Sequence, residues 1–175
     1  MIFVTVGTQL PFDRLVNAVD AWAAAHPSAE VVAQVGPTER GFTALRAEPF
    51  LSPGRFEELF AAAELIVAHA GMGTILSATE RGKPLLVVPR RASLGEHRNE
   101  HQMATATRLR DRLGLAVAWE EADVGRMIDE MLARGGSAAP RISPYADGRL
   151  IGFVRSFVLG APAVARDPRA ELPTG

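Results

Sequence analysis

The chain has 175 residues, a net charge of −1 and no cysteine. Balanced charge argues against nucleic-acid binding through bulk electrostatics, and the missing thiols exclude a disulfide framework, a thiolate nucleophile and a cysteine metal site. No apolar run approaches the roughly 20 residues that span a bilayer, and Met1 leads straight into a strand pattern, so neither a membrane span nor a signal peptide is expected and the chain reads as cytoplasmic.

Strand and helix signals alternate along almost the whole chain. Ile2 to Val6 is a strand-type run closed by Gly7-Thr8. Phe12 to Ala25 places Leu15, Val16, Val19, Trp22 and Ala23 at helical spacing, with Asp13 near the start. Val31 to Val35 reads as a second strand ending at Gly36-Pro37, and 42–50 is ambiguous, with room for a short edge strand. Ser52-Pro53 opens a helix carrying Phe56, Leu59, Phe60 and Ala63, serine at the cap and proline at the first position. A strand at Leu65 to Ala68, a helix at Thr74 to Arg81 and a strand at Leu85 to Val88 follow. The pattern then predicts a helix from Glu96 to Arg112, a short strand from Leu115 to Trp119 and a helix from Ala122 to Arg134. Gly135, Gly136, Ser137 and Pro140 mark a loop, and Tyr145 to Leu159 forms a last helix with a broad apolar face. That face suits either this domain's own sheet or a partner. Residues 1–160 are expected to form one domain, with 161–175 a poorly ordered tail.

This alternation predicts an α/β fold: a Rossmann-like parallel sheet with helices on both faces. Ligands of such sheets sit outside the carboxyl ends of the strands. Gly7-Thr8-Gln9, Gly36-Pro37, the His69 to Thr74 loop and the Pro89 to Asn99 loop all follow strands, so the polar and glycine-rich segments gather along one sheet edge.

The segment His69-Ala70-Gly71-Met72-Gly73-Thr74 carries the most chemistry. A strand feeding a glycine turn that opens a helix aims unpaired backbone N–H groups, and the positive end of the helix dipole, at one point. That point suits a phosphate or diphosphate. Gly71-x-Gly73 lacks the third glycine of the dinucleotide fingerprint, and no Gly-Lys-Ser/Thr follows at P-loop spacing.

The wider pattern resembles the nucleotide-sugar-binding half of family-28 glycosyltransferases. The resemblance rests on His69 to Thr74, on Glu80-Arg-Gly-Lys-Pro84, on the strand to Val88 and on Pro89 to Gln102. The opening Met1 to Leu15 is similar to one branch of that family, in which a small polypeptide holds the donor half and a membrane-attached polypeptide supplies the acceptor half. The eukaryotic member of that branch adds the second GlcNAc to dolichol-linked GlcNAc, and bacterial members act in exopolysaccharide assembly. The resemblance is clear over residues 1–110 and thins afterwards. It implies the C-terminal half of a GT-B glycosyltransferase, and a chain of 175 residues is about half of what a two-lobed transferase needs.

The resemblance thus implies a UDP-sugar-dependent hexosyltransferase subunit, inverting, peripheral to the membrane through its partner. It would move a hexose or hexuronate to a lipid-diphosphate-linked sugar acceptor reached through that partner, with no nucleic-acid partner. The family's donor phosphates border the loop matching Gly7, Thr8 and Gln9, and His69, Ala70, Gly71, Met72, Gly73 and Thr74 form the cradle, His69 shaping the loop. Many relatives carry a ribose-binding glutamate where this chain has Ser77, which leaves nucleotide discrimination weaker there or shared with another residue. An acidic or His residue followed by Gln meets the donor hexose in the family. His101-Gln102 is the nearest match, with Glu96-His97 as a competing register and Asn99 between them.

The bland readings remain beside these. His97 and His101, four apart on the predicted helix, could suggest metal, yet the His-Glu-x-x-His order is absent and no third ligand is evident. The cluster from Glu96 to Gln102 could instead be a solvated helix start, although paired donors and acceptors suit sugar hydroxyls. Arg90 and Arg91 are either a solvated pair or partners of the diphosphate or a uronate. No Asp-x-Asp motif occurs, and neither a cofactor nor a metal is assigned. An inverting transfer needs a base on the acceptor hydroxyl. By resemblance it lies in the acceptor lobe, so no catalytic residue is named in this chain. The alternatives are a stand-alone nucleotide-diphosphate-binding module and a dinucleotide-dependent oxidoreductase or epimerase. The missing third glycine and the lack of an early Tyr-x-x-x-Lys pair count against the last.

Overall fold

The computed structural model describes residues 1–135, 145–146 and 148–159. The chain divides into two compact units, Met1–Ile142 and Ser143–Gly175. The first holds six parallel strands, β1 (Ile2–Thr5), β2 (Val31–Gln34), β3 (Arg46–Glu48), β4 (Leu65–His69), β5 (Leu85–Val88) and β6 (Ala116–Val117), in the order β3-β2-β1-β4-β5-β6. Its helices are α1 (Asp13–Ala25), α2 (Pro53–Ala62), α3 (Met72–Arg81), α4 (His101–Leu113) and α5 (Glu121–Ala133). This is the Rossmann-like α/β sheet that the alternating pattern predicts.

The central strands are apolar at consecutive positions because both faces are covered. Ile2 and Val4 of β1, with Leu65 and Val67 of β4, pack toward Leu15, Val16, Val19 and Trp22 of α1 and Val124 and Ile128 of α5. Phe3, Ile66 and Ala68 face the other way, onto Leu59 and Phe60 of α2, Ile75 and Ala78 of α3 and Ala106 of α4. Each large side chain so buried contributes about 1.5–3 kcal/mol. The register Ile2↔Val31 and Ile2↔Leu65 centres β1 between its neighbours, so the loop after β1 lies beside the loop after β4. The order reverses at β1, where a crevice opens at the carboxyl edge.

Local hydrogen bonds hold the connections at both edges of the sheet. The Ser52 hydroxyl accepts from the Arg55 N–H, and Pro53 follows it, as the serine-proline start of α2 predicts. Lys83 donates to the Ala61 carbonyl and, at 2.9 Å, to that of Ala63, satisfying the C-terminal end of α2. The Asp20 carboxylate of α1 accepts from the backbone N–H groups of Thr43, Ala44 and Leu45, which pins the approach to β3.

Apart from one-residue shifts, three boundaries in the first unit differ from the sequence reading. α3 begins at Met72, two residues before Thr74, because Gly71 is extended and its carbonyl already accepts from Ile75. The strand expected over Leu115 to Trp119 is reduced to Ala116–Val117. The helix expected from Glu96 starts only at His101, after a 3-10 turn at Ala92–Leu94. Gly95 there is left-handed at φ 71°, and Glu96 turns back to bind Arg14 and Arg91 instead of entering the helix. His97 and His101 therefore do not share a helix face.

In the second unit, α6 (Gly148–Val158) exposes Ile151, Phe153, Val154, Phe157 and Val158. It begins after Tyr145, later than the sequence pattern predicts. The predicted loop at Gly136, Ser137 and Pro140 and the tail from 161 lie outside the described residues. Among the described residues no helix is long and apolar enough to cross a membrane.

Candidate functional site

Two cavities open at the carboxyl edge and share a common floor. The first, about 300 Å³, is lined by Gly7, Thr8, Gln9, His69, Gly71, Gly73, Thr74, Arg90, His97 and Gln102, with Val6 and Leu10. The second, about 450 Å³, is lined by Thr5, Gly7, Thr8, Gln34, Leu51, Pro53, Phe56, Glu57, Gly73, Thr74 and Ser77. Gly7, Thr8, Gly73 and Thr74 belong to both.

That shared floor is the first turn of α3 facing the loop after β1. The N–H groups of Met72, Gly73 and Thr74 precede the first intrahelical acceptor, and the cap residue Gly71 has no side chain to offer them one. Together with the dipole they form a positive, donor-rich point at the junction of the cavities. A Cβ on Gly73 would meet nothing within 4 Å, so the approach to this turn is open.

His69 is the wedge under the floor. A Cβ on Gly71 would lie 2.3 Å from its Nε2, and one on Gly7 would lie 2.9 Å from its Cε1. Gly7 is also left-handed, at φ 78°. Both glycines are thus required by the imidazole between them. Burial first, and the charge of Arg90 second, pull His69 down to about 4, so the ring is neutral near pH 7. A neutral wedge places the two loops without adding charge. We expect Gly71→Ala to cost about 1–3 kcal/mol through overpacking. His69→Ala in the same chain should recover most of that loss, since it vacates the volume the methyl needs. Chemical denaturation of both single variants and the double variant measures the coupling, and strict additivity would remove His69 from this role.

The loop after β1 is tied down from two sides. Gln34 donates to the Gly7 carbonyl at 2.8 Å and accepts from the Thr5 hydroxyl at 2.6 Å. Arg90, only 3% exposed, spreads its guanidinium over four backbone carbonyls. Nη2 reaches Val6 at 2.9 Å and Leu10 at 2.7 Å, and Nη1 reaches Pro11 at 2.5 Å and Glu96 at 3.3 Å. The same group lies 4.6 Å from the Phe12 ring centroid. Burial lowers Arg90 to about 10, which leaves it charged. The solvated-pair reading does not hold for Arg90, whose two Nη groups donate to backbone carbonyls of the protein itself. Arg91 turns away, to the Trp119 carbonyl and to Glu120 at 2.6 Å.

Several predicted residues line neither cavity. Glu96 is held by Arg14 at 2.7 and 3.0 Å and by the Arg91 N–H. Ala70 is in the core below the loop, and Met72 is exposed. His101 is exposed on α4, with its N–H on the Asn99 side-chain oxygen at 3.2 Å. That same oxygen lies 3.1 Å from His97 Nδ1, so Asn99 orients His97 from outside. Of the two competing registers, His97 from one and Gln102 from the other line the first cavity. Gln102 in turn accepts from the Arg90 N–H at 3.1 Å. Sequence reasoning missed the second cavity's wall: Leu51, Pro53, Phe56 and Glu57. The rule that ligands gather at loops after strands was the available signal, since the loop after β3 leads directly to α2.

Among the described residues no group of three or more His, Asp or Glu is arranged to hold a metal ion. The family model described as glycosyltransferase family 28 C-terminal domain matches residues 1–141. Among solved structures, the glycotransferase of kitacinnamycin is 20% identical with a TM-score of 0.57, covering 90% of this chain and 39% of that one. UDP-GlcNAc 2-epimerase from Neisseria meningitidis, solved bound to UDP-GlcNAc, is 14% identical with a TM-score of 0.57, covering 91% of this chain and 44% of that one. This chain therefore spans about two-fifths of the length of both. The solution structure of ALG13 is 18% identical with a TM-score of 0.54, covering 87% of this chain and 93% of that one. These likenesses establish a shared GT-B-type fold.

Proposed function

Since the chain belongs to the family of the glycosyltransferase family 28 C-terminal domain, we propose that it is the donor-binding subunit of a two-component inverting glycosyltransferase. The observation that carries this reading is the uncapped first turn of α3, facing Gly7-Thr8 at the junction of two cavities. A diphosphate sits at that junction, with the nucleoside in the larger cavity and the sugar beside His97 and Gln102. A protein of the same fold holds UDP-GlcNAc, which motivates a uridine diphosphate donor.

Catalysis by such a lobe is electrostatic. As the bond from the anomeric carbon to the diphosphate breaks, negative charge grows on the departing UDP. The N–H groups of Met72 to Thr74 and the dipole of α3 stabilise that charge without reorganising. The buried Arg90 guanidinium adds positive potential while its hydrogen bonds hold the cavity wall. His69, neutral and enclosed by two loops, positions and transfers no proton. The proton of the attacking hydroxyl goes to a base on a membrane-attached acceptor-binding subunit, which presents the lipid-diphosphate-linked sugar, in exopolysaccharide assembly.

A reconstituted transfer assay tests this. The purified chain should bind UDP-sugar yet transfer nothing to a lipid-linked acceptor until a membrane-associated acceptor subunit is added. Robust transfer by the chain alone, at a rate no partner changes, would overturn the two-component reading.

A further inference from the structure

The second cavity carries chemistry that the phosphate cradle does not explain. It shares Gly7, Thr8, Gly73 and Thr74 with the first, so a ligand with phosphates at the start of α3 reaches into it. One wall is apolar, built by Leu51, Pro53 and Phe56. Phe56 is braced edge-on against Phe3 at 5.4 Å and beside Phe60 at 5.5 Å, a fixed ring against which a planar base can lie. Polar groups enter from two helices: Glu57 from α2 and Ser77 from α3.

We propose that Glu57, with Ser77 beside it, accepts hydrogen bonds from the ribose hydroxyls of the bound nucleoside diphosphate and makes this site selective for ribose over deoxyribose. The proposal rests on reading the site as a nucleoside-diphosphate pocket. A vicinal diol offers two O–H donors, and an ionised carboxylate is an acceptor with no competing donor. Arg81 donates from Nη1 to Glu57 Oε2 at 2.6 Å, which leaves Oε1 for a ligand. Arg81 lies one turn beyond Ser77 on α3, with its guanidinium 5.1 Å from the Phe60 ring centroid, so the carboxylate is tethered to the helix that carries the hydroxyl. The Arg81 hydrogen bond also holds the Glu57 carboxyl below the usual carboxylate range, which keeps it ionised near neutrality.

Charge separates this role from that of a surface ion pair. An ionised Glu57 near a diphosphate repels it unless the ligand returns donors to the carboxylate. If Glu57 served only to pair Arg81, Glu57→Gln would leave nucleotide affinity unchanged or tighten it.

Calorimetric titration of the whole chain with UDP and with 2′,3′-dideoxy-UDP decides the matter, using the parent, Glu57→Gln and the Glu57→Ala, Ser77→Ala double variant. The parent should bind UDP about tenfold or more tighter than the dideoxy nucleotide, the scale of hydrogen bonds to a charged acceptor. The double variant should narrow that ratio to about threefold or less by weakening UDP alone, with Glu57→Gln between the two. A ratio that survives in the double variant, or an equal loss for both nucleotides, overturns the assignment of Glu57. Failure of the parent to bind either nucleotide overturns the pocket reading itself, a result distinct from the other two.

Discussion

Arg90→Met should destabilise the chain by about 3 kcal/mol and weaken UDP binding at least tenfold. The methionine fills much of the volume but donates nothing, so the carbonyls of Val6, Leu10, Pro11 and Glu96 lose their partner within a largely enclosed setting. Each unsatisfied buried acceptor costs roughly 1–3 kcal/mol before relaxation, and loop movement recovers part of the total. That movement is what harms binding, because Val6 to Leu10 is the cavity wall. Arg90→Lys should fall between the two, since a point-like ammonium cannot span four carbonyls as a planar fork does. Urea denaturation gives the stability change and UDP titration the affinity change. A stable Arg90→Met chain with parental affinity would show that the loop is held elsewhere.

Gly73→Val acts by the opposite route, leaving the fold intact and removing the ligand. The Cβ direction at Gly73 is open, so the fold has nothing to clash with. Gly73 lines both cavities at the first turn of α3, so the branched side chain would occupy the place where the diphosphate approaches. The expected result is a parental unfolding midpoint with UDP binding abolished. Parental affinity for UDP in this variant would remove the first turn of α3 from the phosphate site.

The sheet was legible from the alternation of apolar runs with helical periodicity, except at 42–50, which stayed ambiguous and holds the short edge strand β3. The glycine turn between β4 and α3 was legible because its signal is local: strand, glycine, helix start. Arg90 was not legible in the same way. Its solvated and ligand-binding roles looked alike from sequence, because its four carbonyl acceptors lie on residues 6 to 96 and meet only when β1 and β5 flank β4. The α4 boundary was misread for a related reason. Glu96 has ordinary helix propensity, but the pull of Arg14, from 82 positions earlier, decides its conformation. Glu57 escaped notice since helical spacing marks it only as a polar face of α2. What brings it to Ser77 is the packing of α2 beside α3 on one face of the sheet.

Donor binding itself is tested most simply by calorimetric titration of the unmodified chain with UDP, a UDP-sugar and NAD in parallel. The expected result is saturable binding of UDP and the UDP-sugar at one shared site, each displacing the other, and no binding of NAD there. Absence of binding by both uridine diphosphates, or NAD occupying the same site with comparable affinity, would contradict a nucleotide-sugar site at the start of α3.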